Sequence, residues 1–204
     1  MSQLQGNPDA QIHPIISGRW SPRAFDSNIP VESKKLQACL EAARWSSSCF
    51  GEEPWRFIVS ERSQNPDGWQ QMLATLAEKN QLWAQYAPVL VLACAANNFS
   101  QNGNPNRWSQ YDTGQAMISF SLQAVSEGLI THPMGGFNPA VAAEKFNIPD
   151  DFTPMSVTAL GYQGKTESLD KGSQAAESSE RNRKPISEIT FTSWNKPWQA
   201  EDKS

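Results

Sequence analysis

The nine residues Pro88–Ala96, PVLVLACAA, contain no charged side chain, and cysteine is the most polar among them. A run this short and continuously apolar reads as a strand covered on both faces, because a bilayer-crossing helix needs roughly 20 apolar residues. The chain must therefore supply packing layers on both sides of a sheet. Its 204 residues suffice for one substantial domain.

The rest of the pattern supplies those layers. VESKKLQACLEAARW places Leu36, Cys39, Leu40 and Ala43 at helical spacing. PWRFIVSE alternates Trp55, Phe57 and Val59 against Arg56, Ile58 and Ser60, which predicts a strand. From Gly68 to Trp83 one helical face carries Trp69, Met72, Leu73, Leu76 and Trp83. Residues 97–109, rich in Asn, Gly and Ser, read as a loop. Asp112 then opens a long helix carrying Met117, Ile118, Leu122, Val125 and Leu129, with Gly128 near its end. Asn138-Pro139 is a helix start, SVTALGYQG a strand, 165–182 a polar solvent-exposed connector, and ISEITFTSW a late strand for the main sheet or a partner chain. Helices interleaved with a few strands give an α+β sandwich.

Composition excludes more than it assigns. A formal charge of −4, with two histidines, argues against a dedicated nucleic-acid binder. No run is long enough to cross a membrane, and MSQLQGNPDAQ lacks a basic, then apolar, leader, so a cytoplasmic protein is expected. Cys39, Cys49 and Cys94 form no C-x-x-C and read as buried thiols. His13 and His132 are too far apart in sequence for a metal site by themselves, and His132 reads as a loop residue. Gly164-Lys165-Thr166 lacks the upstream glycine of a P-loop, and neither G-x-G-x-x-G nor G-x-S-x-G is present. Eight tryptophans are many for this length, and fit either a core or an interface beside a flat ligand.

Two basic clusters lie near opposite ends, Arg19-Trp20-Ser21-Pro22-Arg23 and Arg181-Asn182-Arg183-Lys184. Alternate residues on extended backbone point the same way, so Arg19, Ser21 and Arg23 could converge on one anion; the other reading is ordinary solvated surface. Pro133-Met134-Gly135-Gly136-Phe137 is either a plain turn or a place where backbone amides approach a planar ligand.

The combination resembles the nitroreductase family of FMN-dependent oxidoreductases. RWSPRAF is similar to the family's R-x-S-x-R-x-F, and ARWSSSCFGEEPWRFIV to its A-R-x-A-P-S-S-x-N-x-Q-P-W-x-F-x-V. YDTGQAMISFSLQAVSEGL resembles its central helix, THPMGGF its ring-side loop, and ALGYQGK with RNRKP its C-terminal phosphate clamp, over about residues 13–190. The resemblance implies a mostly antiparallel sheet flanked by helices in an entwined homodimer, with FMN at the subunit interface. By position, Arg19, Ser21, Arg181 and Arg183 would hold the phosphate, with Trp20 adding backbone or packing contacts. Arg23 would sit near N1 and O2 of the ring, where a cation stabilises developing negative charge. Gly135 would present its N–H to N5, with Met134 and Gly136 alongside and Ser48 approaching from the facing chain.

No catalytic side chain and no metal are implied, because the flavin carries the chemistry. It would take a hydride from NADH or NADPH and pass electrons to a nitroaromatic, quinone or similar acceptor by a ping-pong mechanism. Gly51 and Glu53 replace the family's Asn and Gln, and Ser46-Ser47 its Ala-Pro. A carboxylate at Glu53 would oppose reduction unless paired, with Arg56 as a candidate partner. Phe50 and Phe99 either wall the substrate face or pack as ordinary loop residues. The alternatives are an FMN-binding protein without turnover, a flavin-dependent dehydrogenase, dehalogenase or flavin-fragmenting enzyme, and a structural module with merely solvated basic clusters.

Overall fold

The structure, a computed structural model, describes residues 8–198. In chain order the main elements are α1 (Pro14–Gly18), α2 (Ser33–Arg44), β1 (Trp55–Glu61), α3 (Pro66–Leu73), α4 (Glu78–Ala84), β2 (Val89–Ala96) and α5 (Ser109–Ser126). They continue through β3 (Ile130–Met134), α6 (Pro139–Lys145), β4 (Phe152–Gly161), α7 (Lys171–Glu177), α8 (Ile186–Ile189), β5 (Phe191–Ser193) and β6 (Lys196–Pro197). Strands β1-β2-β4-β3, in that spatial order, form an antiparallel sheet.

The apolar run is its centre. Leu90, Leu92 and Cys94 pack with Trp69, Met72, Leu76 and Trp83 on the face covered by α3 and α4. Val89, Val91 and Ala93 pack with Leu36, Cys39, Met117 and Phe120 on the face covered by α2 and α5. The strand period of two thus divides one sequence run between two cores, and the α+β sandwich follows. Helix starts are chemically marked. Asn65 Oδ1 accepts from Gly68 N at 3.0 Å, and Asn138 Oδ1 from Val141 N at 3.1 Å, each with proline next.

Five expectations need correction. The helical face over 68–83 is carried by two helices, because the intervening backbone turns to the loop after β3: Ala77 N donates to Gly136 O and Asn138 N to Thr75 O. Helix α5 begins at Ser109, ahead of Asp112. His132 lies on β3 rather than in a loop. Residues 165–182 are more than an exposed connector: Asp170 Oδ1 accepts from Gly172 and Ser173 to start α7, and Leu169 and Glu177 are buried. The late strand begins instead as a helical turn after Pro185, and only β5 and β6 pair, with each other. Cys39 and Cys94 are buried as expected, while Cys49 is half-buried.

Candidate functional site

The two basic clusters meet. Arg181 donates from Nη1 to Ser17 O at 2.8 Å and from Nη2 to Arg19 O at 2.9 Å, joining the chain's ends across more than 160 residues. Arg19 Nη1 in turn reaches Ser21 Oγ at 3.3 Å. Burial first, and then the charges of Arg181 and Arg183, lower the pKa of Arg19; burial and Arg183 lower that of Arg181. Three guanidinium groups therefore share one field, and among the described residues neither Arg19 nor Arg183 has an ion-pair partner. Such a concentration of positive charge is stabilised by an anion, and forked guanidinium donors match phosphate. Trp20, Ser21 and Arg23 are half-buried on the same segment, and the Arg23 guanidinium makes no hydrogen bond among the described residues.

Residues 17–26 are not a ladder strand. Later parts of the chain hold them in place. Pro22 O lies 3.0 Å from His132 Nδ1, so that nitrogen carries the proton. The imidazole packs against Trp83 at a tilt, ring centroids 4.3 Å apart, and burial pushes its pKa down to about 4, with Arg23 and Arg19 acting in the same direction. It is neutral near pH 7. Glu177, 4% exposed, accepts from Arg23 N (2.8 Å to Oε2, 3.1 Å to Oε1) and from Ala24 N (3.2 Å). Ala24 O accepts from Gly164 N at 2.7 Å.

The glycine loop follows directly from β3. Met134 is buried in the core, leaving its backbone as the part that can face a ligand. A Cβ built on Gly135 would meet open space, and its N–H donates to no acceptor among the described residues. Gly136 differs: its carbonyl accepts from Ala77 N and Asn80 Nδ2, both at 2.9 Å, and a Cβ there would come within 2.7 Å of Asn80 Nδ2. One glycine fixes the loop while the other leaves an amide presented outward. An exposed amide beside half-buried arginines on one sheet side fits a ligand that is flat at one end and anionic at the other.

Ser48 lies elsewhere, in the loop leading to β1, where its Oγ accepts from Glu53 N at 3.0 Å. Buried Asp112 holds the neighbouring Cys49 N at 3.0 Å, and Glu52 Oε1 accepts from Ser100 N at 2.6 Å. Phe50, Gly51 and Glu53 have positive φ (57°, 67°, 49°). Phe50 is 85% exposed and meets Phe99 edge-on at 6.1 Å, so this pair stands on the surface. Arg56 donates to the Glu53 and Trp55 carbonyls instead of pairing with the Glu53 carboxylate. β1 and β3 are opposite edges of the sheet, so this loop and the glycine loop flank opposite edges, with β2 and β4 between them.

Glu177, His132 and Asp112 take structural parts that no motif announced. Glu177 sits in a polar stretch without periodicity, and His132 lacks a second ligand at any recognised spacing.

The comparisons with known proteins bear on the family and the fold. The model of the nitroreductase family matches residues 16–162, and the chain belongs to that family. A 15.4 kDa uncharacterized protein of Mycolicibacterium smegmatis is 32% identical over 70% of this chain and 99% of its own length. A Staphylococcus haemolyticus protein provisionally named an NAD(P)H nitroreductase is 28% identical over 78% of this chain and 91% of its own. Among solved structures, an oxidoreductase containing FMN superimposes with a TM-score of 0.86 at 29% identity, covering 92% of this chain and 94% of that one. An Exiguobacterium sibiricum protein described as a nitroreductase in complex with FMN gives 0.73 at 19% identity, over 92% and 100% of the two chains. Glu177, Arg181 and Arg183 lie beyond the family-model match. No helix among the described residues is long and apolar enough to cross a membrane.

Proposed function

We propose that this protein is an FMN-dependent NAD(P)H oxidoreductase that works as a homodimer of one-domain chains, the single domain being residues 1–204 with its core at about 13–190. The observation that carries this reading is the convergence of Arg19 with Arg181 and Arg183, in a chain whose family relatives include structures described with FMN. Arg19, Ser21, Arg181 and Arg183 hold the phosphate, and Trp20 packs beside it. Arg23 places a cation at the polar edge of the ring, and Gly135 directs its N–H at N5, with Met134 backbone and Gly136 alongside. FMN so held supplies the redox chemistry, accepting hydride from NADH or NADPH and passing electrons to a nitroaromatic, quinone or similar acceptor in two successive half-reactions. The protein contributes orientation, a fixed electrostatic field and an open ring face.

The placement of the two loops supports a second copy. Within one chain Ser48 and the glycine loop flank opposite edges of the sheet, so a facing chain would bring its own Ser48 to the ring. Tyr111 (66% exposed) and Ile118 (45%) on α5, with Ile189 (60%) and Trp194 (88%) in the tail, supply apolar surface for that contact. Three thiols without disulfides suit the cytoplasm.

One observation favours a second reading, an FMN-binding protein with little turnover: Arg56 does not neutralise the Glu53 carboxylate. A single assay separates the two. The enzyme consumes NADH or NADPH steadily when a quinone is added to flavin-loaded protein; flavin-loaded protein that leaves both nucleotides unoxidised contradicts turnover.

A further inference from the structure

The Glu177 carboxylate has no use in the chemistry above, yet its burial is costly. Removing a carboxylate from water is unfavourable by several kcal/mol unless the charge is compensated. Its helix does not explain the placement, since Glu177 is the last residue of α7, the end that disfavours negative charge. Among the described residues it has no ion-pair partner. Its partners are two consecutive amides, Arg23 and Ala24, more than 150 residues earlier. An apolar side chain at 177 could fill the space, but it would leave those two N–H groups buried without acceptors.

The amides matter because of where they lie. Arg19, Ser21 and Arg23 occupy alternate positions of a segment with no strand beside it, so its backbone is set by side chains from elsewhere. Arg181 takes the carbonyls of Ser17 and Arg19, His132 takes that of Pro22, and Glu177 takes the N–H groups of Arg23 and Ala24. Among the described residues, only Glu177 grips the amide of Arg23, the arginine assigned to the ring edge. It is also four and six residues before Arg181 and Arg183, so one short segment carries both the clamp on the arm and the arginines beside it.

We propose that Glu177 is a positioning residue of the flavin site: by accepting the Arg23 and Ala24 amides it sets the backbone of the Arg19–Arg23 arm, and through it the Arg23 guanidinium. The proposal rests on the reading that this arm binds FMN. Glu177→Gln preserves size and one acceptor oxygen but removes the charge and sets an NH2 against the Arg23 N–H where Oε2 accepted it at 2.8 Å, and Glu177→Asp preserves charge with a shorter reach.

The test has an unliganded readout and a liganded one. In apoprotein, the Arg23 and Ala24 amides exchange slowly in the wild type and lose protection selectively in Glu177→Gln. In holoprotein, Glu177→Gln weakens FMN binding by about tenfold and makes the midpoint potential of bound flavin more negative. That change in potential disappears when Arg23→Ala is already present, because the displaced guanidinium is gone while its amide remains. If Glu177→Gln fails to fold, Glu177→Asp takes its place, with a smaller shift in the same direction. A Glu177 variant that melts earlier but keeps wild-type amide protection, FMN affinity and potential overturns the proposal. Failure of the underlying reading looks different: Arg19→Ala and Arg183→Ala would then leave FMN affinity unchanged, whereas their weakening alongside an inert Glu177 substitution overturns the positioning role alone.

Discussion

On the β3 side of the sheet, the segment at residues 17–26 is pinned by side chains from β3, from α7 and from Arg181, all distant in sequence. Around the β1 edge, the loop at 48–53 combines bonds of its own, Ser48 to Glu53 with three residues at positive φ, with two outside ties, Asp112 to Cys49 N and Glu52 to Ser100 N, and it leaves Phe50 almost wholly in solvent. Both regions carry residues assigned to one ligand. A segment whose backbone is set mainly by distant side chains can hold an anion with little reorganisation, while a loop that leaves an aromatic tip exposed is suited to meet a partner surface. In the proposed function these are the two halves of one site, prepared in different ways.

The contrast can be broken most severely at Trp83, which stacks on Phe25, packs at a tilt against His132 beneath the arm and is 2% exposed. Trp83→Ala is expected to cost about 3–5 kcal/mol of stability in urea denaturation, with flavin retention falling as the arm loosens. Acid attacks the same side. The folded-state pKa of His132, about 4, lies below the ordinary 6.5, so the unfolded chain takes up the proton more readily. Its contribution is therefore present above pH 6.5 and lost as pH falls toward 4, about 3 kcal/mol in all. His132→Gln, followed by denaturation across that window, should flatten the dependence.

Smaller changes sharpen the contrast. Gly136→Ala forces Asn80 away from the Gly136 carbonyl and should cost about 1 kcal/mol by thermal unfolding. Gly135→Ala, whose Cβ meets open space, should leave stability unchanged while weakening flavin binding where the proposed placement of the ring beside this loop holds. Phe50→Ala should alter monomer stability least, within about 0.5 kcal/mol, and its effect should appear in the KM for the acceptor.

What could be read from the sequence follows from the range of the interactions. The β2 run, the α2 face and the Asn138-Pro139 start of α6 are local patterns, and they formed as their spacing required. The division of residues 68–83 into two helices was hidden because its cause is the distant Gly136 carbonyl. ISEITFTSW alternates well enough for a strand, yet Pro185 starts a helical turn and no sheet edge stands beside it. In the site, the arginines and glycines were visible as motifs; Glu177 and His132, which hold the arm by single tertiary contacts, had no periodic or spaced signal.

The central claim is that the ends of the chain close on one flavin phosphate, and FMN titration of apoprotein followed in the visible spectrum tests it most directly. Wild-type protein is expected to bind FMN, while Arg19→Ala and Arg183→Ala each lose about 1.5 to 3 kcal/mol, on the order of ten- to a hundredfold in Kd. Unchanged affinity in both variants, or a wild-type protein that binds no FMN, would contradict it.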